Sequence, residues 1–269
     1  MAASKAALGG KSPRTEGVKR AEEALLWVYR WGWTTPTLLE LALRSSGRSG
    51  IGNRLIKSGL LVRTPTPSGG INSTPSCILT LSRVGLELAT ALATTLLPYE
   101  LNPHRIKPST IHHGETVQRL TAIKLSTWNY GMSADSYLTE KELSIGRGKG
   151  EKIPDVLWEV TFEDQLKPNV KVAVEVELSA KWTNELDTFV YLSLRQLKDN
   201  DCDAIEIYST SRALLLRYYK AFLPGQLLQT WTKEPGKTGR WVKGGTVKIP
   251  DRADNQIRFI QITPDMLGR

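Results

Sequence analysis

Apolar side chains in the first hundred residues follow helical spacing before they change to extended spacing. They recur at intervals of three and four from Val18 to Val28, which predicts an amphipathic helix. Thr35 and the proline after it are typical of a helix start, so a second helix is predicted over 36–43. A third helix is predicted over 51–58, after a Ser/Gly/Arg-rich turn.

The spacing then becomes extended in two segments, 60–66 and 76–81. They flank Pro-Ser-Gly-Gly at 67–70, which predicts a two-stranded ribbon with a Gly-rich tip. A closing helix is predicted over 82–97, with Ser82 as its N-cap. Three helices, a ribbon and a closing helix form the layout of a winged helix-turn-helix domain, predicted here over 16–98.

Helical and extended spacings alternate in the second part of the chain, after a predicted linker at 99–112. The predicted strands are 136–139, 156–162, 170–178, 204–208 and 257–262, and the predicted helices are 115–127, 184–198 and 212–222. A Gly-, Lys- and Trp-rich loop is predicted between the last helix and the last strand. This order predicts an α+β or α/β domain over 113–269, with a mixed sheet flanked by helices.

Composition agrees with a folded protein, since 40% of the residues are hydrophobic and 23% are charged. No apolar run approaches the ~20 residues that span a bilayer. Residues 1–15 are predicted to be a disordered leader and lack the apolar segment of a signal peptide, so we expect a cytoplasmic protein without membrane insertion. Cys77 and Cys202 are far apart, which excludes a structural zinc site or a disulfide framework.

The formal net charge of +9 favours a polyanionic partner. Residues 1–100 carry 12 lysines and arginines against 6 acidic residues, which makes them the more basic part. The residues predicted to contact double-stranded DNA, around the third helix and the ribbon, are Arg44, Arg48, Asn53, Arg54, Lys57 and Arg63. The alternative is a protein-binding winged helix with a solvated basic face.

Two glutamates share one face of the predicted strand 170–178. Glu175 and Glu177 alternate with valines, so their carboxylates lie about 7 Å apart along the strand. Asp155 opens the preceding predicted strand, and antiparallel pairing through a turn at 164–169 would bring it beside Glu175. Like charges this close repel unless a cation lies between them.

This acidic set suits a divalent metal. Mg²⁺ or Mn²⁺ prefers hard oxygen ligands, which Asp155, Glu175 and Glu177 offer. Such an ion activates water and offsets charge on a phosphodiester, while Lys181 can orient the water or stabilise the developing charge. The alternative is that Glu175 and Glu177 belong to a solvated, salt-bridged strand face.

Pro154-Asp155, Glu175-Val176-Glu177 and Lys181 together resemble the PD-(D/E)xK nuclease superfamily, the fold of restriction endonucleases. The chain departs from the usual pattern, because Glu177 stands in the place of the lysine, which follows at Lys181. The resemblance implies a metal-dependent nuclease.

His113 and Gln118 form an H-x4-Q motif about 40 residues before Asp155. With the winged helix and the PD and ExE motifs, this order resembles the MOBC-type plasmid relaxases and the related replication-relaxation proteins. The resemblance implies that His113 and Gln118 line the active site, with Glu115 ranked below them. It implies a site- and strand-specific nickase acting at an origin of transfer, with other relaxosome or coupling proteins as further partners.

Two other functions stay open. The chain could be a non-catalytic DNA-binding accessory protein of a relaxosome, or a restriction or transposon-end endonuclease of the same fold. Basic and aromatic residues between Trp231 and Lys248 suit contact with phosphate and unstacked bases, and a solvent-exposed hairpin is the alternative. Tyr191 and Tyr208 are expected to pack rather than react.

Overall fold

The computed structural model describes residues 12–44, 50–67, 74–127, 136–148, 150–160, 169–234, 239–251 and 253–267. The chain is a mixture of helices and sheets, as the sequence predicts at that coarse level, and divides into two compact units, Met1–Thr127 and Trp128–Arg269. Within the ranges given, none of the helices combines the length and the apolar character needed to cross a membrane.

Three helices open the N-terminal unit at the predicted places. Helix α1 spans Pro13–Trp31, α2 spans Pro36–Ala42 and α3 spans Ile51–Lys57. The hydroxyl oxygens of Ser12 and Thr35 accept hydrogen bonds from backbone N–H groups in the first turns of α1 and α2. The predicted leader over 1–15 is too long, because α1 already begins at Pro13, and residues 1–11 lie outside the described ranges.

The predicted ribbon is confirmed. Strand β1 (Leu61–Pro65) pairs antiparallel with β2 (Cys77–Leu81), with Leu61 opposite Leu81. Most of its Gly-rich tip, residues 68–73, lies outside the described ranges.

Helix α4 spans Arg83–Leu92 and ends five residues earlier than the predicted 82–97. Ala93 is already extended, with φ −76° and ψ 140°. The chain leaves the helix because Leu97 is held by Tyr29, whose hydroxyl accepts from the Leu97 N–H at 2.7 Å and donates to its carbonyl at 3.3 Å. A long-range contact thus overrides the local helical spacing.

Helix α5 spans Pro108–Thr127 and occupies the end of the predicted linker at 99–112. It belongs to the N-terminal unit, so the boundary between the units follows residue 127. The reason is packing, because α5 lies against α2. Gly114 permits this approach, since a Cβ there would stand 2.9 Å from the ring of Trp33.

The C-terminal unit is built on a mixed sheet of five strands. They are β3 (Tyr137–Thr139), β4 (Val156–Val160), β5 (Val170–Val176), β6 (Ala204–Ser209) and, last in the chain, β9 (Ile257–Gln261). This is also their order across the sheet. The first three pair antiparallel, whereas β5, β6 and β9 run parallel. The predicted turn at 164–169 lies outside the described residues except for Asn169.

Two helices cover one face of this sheet. They are α7 (Thr183–Lys198), which connects β5 to β6, and α8 (Arg212–Ala221). Short helices α6 (Glu140–Leu143) and α9 (Ala253–Gln256) complete the unit. The buried core on this face joins Ala173 and Ile207 of the sheet to Val190 of α7 and Leu215 of α8.

Between α8 and β9 the chain forms a hairpin. Strand β7 (Leu227–Lys233) pairs antiparallel with β8 (Trp241–Lys248). The predicted loop is therefore wrong, and every residue of β8 after Trp241 is exposed. Contact of this segment with phosphate and unstacked bases stays a prediction. Gly244 allows the pairing, since a Cβ at that position would stand 2.6 Å from the Thr230 hydroxyl oxygen.

Candidate active site

The ends of β4 and β5 bring Asp155 and Glu175 together. The register pairs Val156 with Val174, and one further step places Asp155 opposite Glu175. Asp155 is fixed there by its backbone N–H, which donates to the Val174 carbonyl at 3.1 Å, and by its Oδ2, which accepts from the Val176 N–H at 2.7 Å. The predicted hairpin pairing thus places the two carboxylates side by side.

Neither glutamate lies on a solvated strand face. Glu175 and Glu177 are each 6% exposed. The parallel register sets Glu175 beside Ile207, so both point to the face that α7 and α8 cover. Burying a charge is costly unless it is paired, which requires partners for both carboxylates.

Two lysines supply those partners. Lys152 Nζ pairs with Glu175 Oε1, and Lys181 Nζ pairs with Glu177 Oε1. Both ammonium groups lie over the ring of Phe189 on α7, at 4.3 Å for Lys152 and 4.6 Å for Lys181. The side chain of Lys152 is 9% exposed, whereas that of Lys181 is 35% exposed. Lys181 is therefore the lysine that an incoming ligand can reach more easily.

Lys152 is a site residue that the sequence analysis missed. Its carbonyl accepts a hydrogen bond at 3.0 Å from Nε2 of Gln196, which lies on α7. The available signal was its position three residues before Asp155, in a segment that otherwise has the composition of a polar loop.

Tyr218 of α8 is a second missed residue. Its hydroxyl donates to Glu177 Oε2 at 2.8 Å. Burial, followed by the negative charge of Glu177, raises the pKa of Tyr218 and keeps the hydroxyl a donor. Both oxygens of Glu177 thus have partners in the protein, one in Lys181 and one in Tyr218.

Glu175 has a different electrostatic position. Burial raises the pKa of Glu175 to about 7, in spite of the opposing charge of Lys152. The negative charges of Asp155 and Glu177 add to the rise. The charge of Lys152 alone therefore does not offset the effects of burial, Asp155 and Glu177 on Glu175. A further positive charge beside Glu175 would favour its ionised form.

We expect the contribution of Glu175 to the stability of the C-terminal unit to fall as the pH rises. The folded carboxyl, with a pKa of about 7, keeps its proton where an unfolded carboxyl near 4.5 has lost it. The stabilisation is complete below the unfolded value and disappears as the pH passes the folded one. Urea unfolding of wild type and Glu175→Gln at pH values of about 5, 6, 7 and 8 measures the difference in their free energies of unfolding. The excess stability of wild type should shrink as the pH rises, and a constant difference contradicts the expectation.

Whether a metal ion fits this site depends on which side chains can act as its ligands. Across the described ranges, no group of three or more His, Cys, Asp or Glu side chains is arranged to hold a metal. Glu177, committed to Lys181 and Tyr218, does not suit the ligand role predicted for it. Asp155 and Glu175 still suit Mg²⁺ or Mn²⁺, which usually takes one or two carboxylates from a protein and completes its shell with water and substrate.

His113 and Gln118 lie on α5, in the N-terminal unit. Both polar atoms of the Gln118 amide are engaged there, because Oε1 accepts from Trp27 Nε1 at 3.3 Å and Nε2 donates to the Trp33 carbonyl at 3.0 Å. Glu115, on the same helix, pairs with Arg119 at 3.1 Å. His113 is half-buried. A catalytic part for these residues stays a prediction, while the geometry gives Gln118 a structural role.

The predicted DNA-contacting residues fall into three groups. Asn53, Arg54 and Lys57 occupy the exposed face of α3, whose other face is buried, and Arg63 is exposed on β1. Arg44 differs, because its guanidinium donates to the Leu125 carbonyl of α5 within the same unit. Arg48 lies outside the described residues.

Comparison with protein-family models, with curated proteins and with solved structures found no match to this chain.

Proposed function

We propose that this chain is a Mg²⁺- or Mn²⁺-dependent DNA endonuclease of the relaxase type, which nicks one strand at an origin of plasmid or mobile-element transfer. The observation that carries the proposal is the pair Asp155 and Glu175, held side by side where β4 meets β5, with Lys152 and Lys181 beside them. Asp155 is half-buried, in contrast to Glu175, so the pair is not wholly enclosed.

The architecture of both units supports the proposal. The resemblance to PD-(D/E)xK nucleases implies a mixed sheet flanked by helices, and the C-terminal unit has a mixed sheet with α7 and α8 on one face. Three helices, a ribbon and a closing helix are what the resemblance to relaxases implies for a winged helix-turn-helix. The exposed side chains of α3 then select the DNA site, and the ribbon contacts its backbone.

The residues of the chain have distinct parts in this chemistry. A Mg²⁺ or Mn²⁺ ion held by Asp155 and Glu175 would supply Lewis-acid stabilisation of the phosphodiester oxygens. Lys152 balances part of the charge of Glu175, and Asp155 is oriented by the Val176 N–H. Lys181, the more exposed lysine, orients the attacking water or stabilises charge on the phosphate. Glu177 and Tyr218 hold Lys181 in place.

Supercoiled plasmid that carries the origin of the element encoding this chain tests the function. The full chain is incubated with this plasmid, and with the same plasmid lacking the origin, in Mg²⁺, in Mn²⁺ and in a chelator. Open circles formed only with origin and metal support the proposal. Linear product points instead to a restriction or transposon-end endonuclease, and no cleavage under any condition contradicts an endonuclease function.

One observation favours a second function, that of a non-catalytic DNA-binding accessory protein. Both buried glutamates have lysine partners within the protein, as a purely structural ion-pair cluster requires. This reading predicts origin binding by the N-terminal unit and no cleavage. Binding measured with the same DNA in chelator separates it from a chain that lacks both functions.

We expect duplex binding to depend on the exposed face of α3. Replacing Arg54 and Lys57 by alanine removes two positive charges, and the dependence of log K on log salt should become shallower by about 1.8 if both contact phosphate. Fluorescence anisotropy with origin duplex at several salt concentrations measures this slope. Arg14→Ala/Arg20→Ala, a pair of exposed sites on α1, provides the matched control. Equal slopes for the two double variants contradict a phosphate contact by α3.

A further inference from the structure

Two tryptophans and two lysines alternate on one face of the β7–β8 hairpin. The register places Trp231 opposite Lys243 and Lys233 opposite Trp241. Cross-strand partners share a face, as do residues two apart along a strand, so all four side chains lie together. Lys233 Nζ is 4.7 Å from the ring centre of Trp241, and Lys243 Nζ is 5.8 Å from that of Trp231.

The hairpin is anchored to the C-terminal unit. Leu228 is buried in the core, and Trp231 Nε1 donates to Asp187 Oδ2 of α7 at 2.8 Å. The Gln229 side chain donates to the carbonyls of Gly244 and Gly245, both at 3.0 Å, which ties the strands together. The four-residue face is therefore presented on a fixed support.

Helix α7 links this hairpin to the candidate active site. Asp187 of α7 holds Trp231, and Phe189, two residues further along, carries the ring over which Lys152 and Lys181 lie. Both features thus belong to one unit and contact one helix.

The charge of the hairpin defines its partner. Among its described residues, 227–234 and 239–248, the cations Lys233, Arg240, Lys243 and Lys248 stand against the single acid Glu234. An excess of cations attracts a polyanion. The two tryptophan rings between the cations add a second requirement. The polyanion must expose flat groups on which these rings can stack.

Single-stranded DNA meets both requirements. Its phosphates contact the lysines, and its unpaired bases present faces that duplex DNA keeps stacked. We infer that the Trp231, Lys233, Trp241 and Lys243 face binds single-stranded DNA. The inference deepens the proposed nickase and rests on it for its biological role: the face holds the strand that becomes unpaired at the nicking site.

Binding of labelled 20-nucleotide oligothymidylate to the full chain tests this inference, with a duplex of the same length for comparison. A chelator is present, so that cleavage plays no part. We expect Lys233→Ala/Lys243→Ala to weaken single-strand binding about tenfold, with a salt slope shallower by about 1.4. Lys198→Ala/Lys220→Ala, which removes two exposed charges from α7 and α8, should change binding by less than about twofold.

Tryptophan variants separate stacking from charge. Trp241→Ala should weaken single-strand binding by roughly 5-fold to 100-fold, and Trp241→Phe should restore most of it. Trp241 is chosen because the Trp231 side chain is also bonded to Asp187.

Other outcomes overturn the inference or show which of the two proposals fails. If the hairpin variants lose affinity equally for single strand and duplex, the face is a general polyanion surface. If the lysine variant binds as wild type does, the face takes no part in DNA binding. Vesicles with acidic lipid, bound in a hairpin-dependent manner without preference for single strands, identify a membrane surface. If wild type fails to nick but the hairpin variants lose single-strand binding, the proposed function fails alone. If nicking is present and the variants bind normally, the hairpin inference fails alone.

Discussion

Replacing Asp155 by asparagine is expected to slow metal-dependent nicking by roughly 100-fold or more without unfolding the chain. Asparagine keeps an oxygen that can accept the hydrogen bond now donated by the Val176 N–H at 2.7 Å. The change removes the negative charge that Asp155 contributes beside Glu175. A catalytic metal supplies several kcal/mol of stabilisation, and each loss of about 1.4 kcal/mol slows a reaction tenfold.

Asp203→Asn is a closely matched control. Asp203 Oδ2 also accepts from a backbone N–H of β5, that of Lys171, at the same distance of 2.7 Å. The Asp203 bond lies at the start of β5, whereas the Asp155 bond lies at the end of β5. The control should nick normally, and circular dichroism should show both variants folded. Normal nicking by Asp155→Asn at saturating DNA contradicts the site.

The acidic pair was predictable because its signals are local. Alternation along β5 places Glu175 and Glu177 on one face, and antiparallel pairing with the strand before it in the chain brings Asp155 beside Glu175. Lys152 and Tyr218, which pair with these acids, were not predictable in the same way. Lys152 lies 23 positions from Glu175, and Tyr218 lies 41 positions from Glu177. Only the folded sheet and its helices bring these residues together.

The same distinction explains the errors in the fold. Caps and periodicity locate α1, α2 and α3, since these depend on neighbouring residues. The early end of α4 depends on the remote hydroxyl of Tyr29. The extent of α5 depends on its packing in the N-terminal unit, where Gln118 bonds to Trp27 and Trp33. Such contacts override propensity without leaving a sequence pattern.

The electrostatics of Glu175 differ from those of an ordinary structural ion pair. A structural ion pair should favour the ionised carboxylate, yet burial and neighbouring acids raise the pKa of Glu175 to about 7 although Lys152 is in contact. A cluster that still opposes ionisation is poor as a purely stabilising element. A bound cation would complete the charge balance at this position, as the proposed endonuclease requires.

Replacing Lys152 by methionine should lower the free energy of unfolding of the C-terminal unit by up to about 3 kcal/mol at about pH 9, where Glu175, with a pKa of about 7, is ionised in wild type. The change leaves Glu175 buried with Asp155 and Glu177 nearby and without its lysine. Lys181→Met is the comparison, because Lys181 also pairs with a glutamate and lies over Phe189 but is 35% exposed. Its loss should cost about 1 kcal/mol or less. Urea unfolding followed by far-ultraviolet circular dichroism measures both values.

The double variant Lys152→Met/Glu175→Leu separates the ion pair from the packing of Lys152. Removing both charges takes away the uncompensated carboxylate, so most of the lost stability should return. The destabilisation by Lys152→Met alone should also be smaller at about pH 5, where the Glu175 carboxyl, with a pKa of about 7, is protonated. If the double variant is as unstable as Lys152→Met at both pH values, the loss comes from the packing of Lys152 on Phe189 and not from the buried charge.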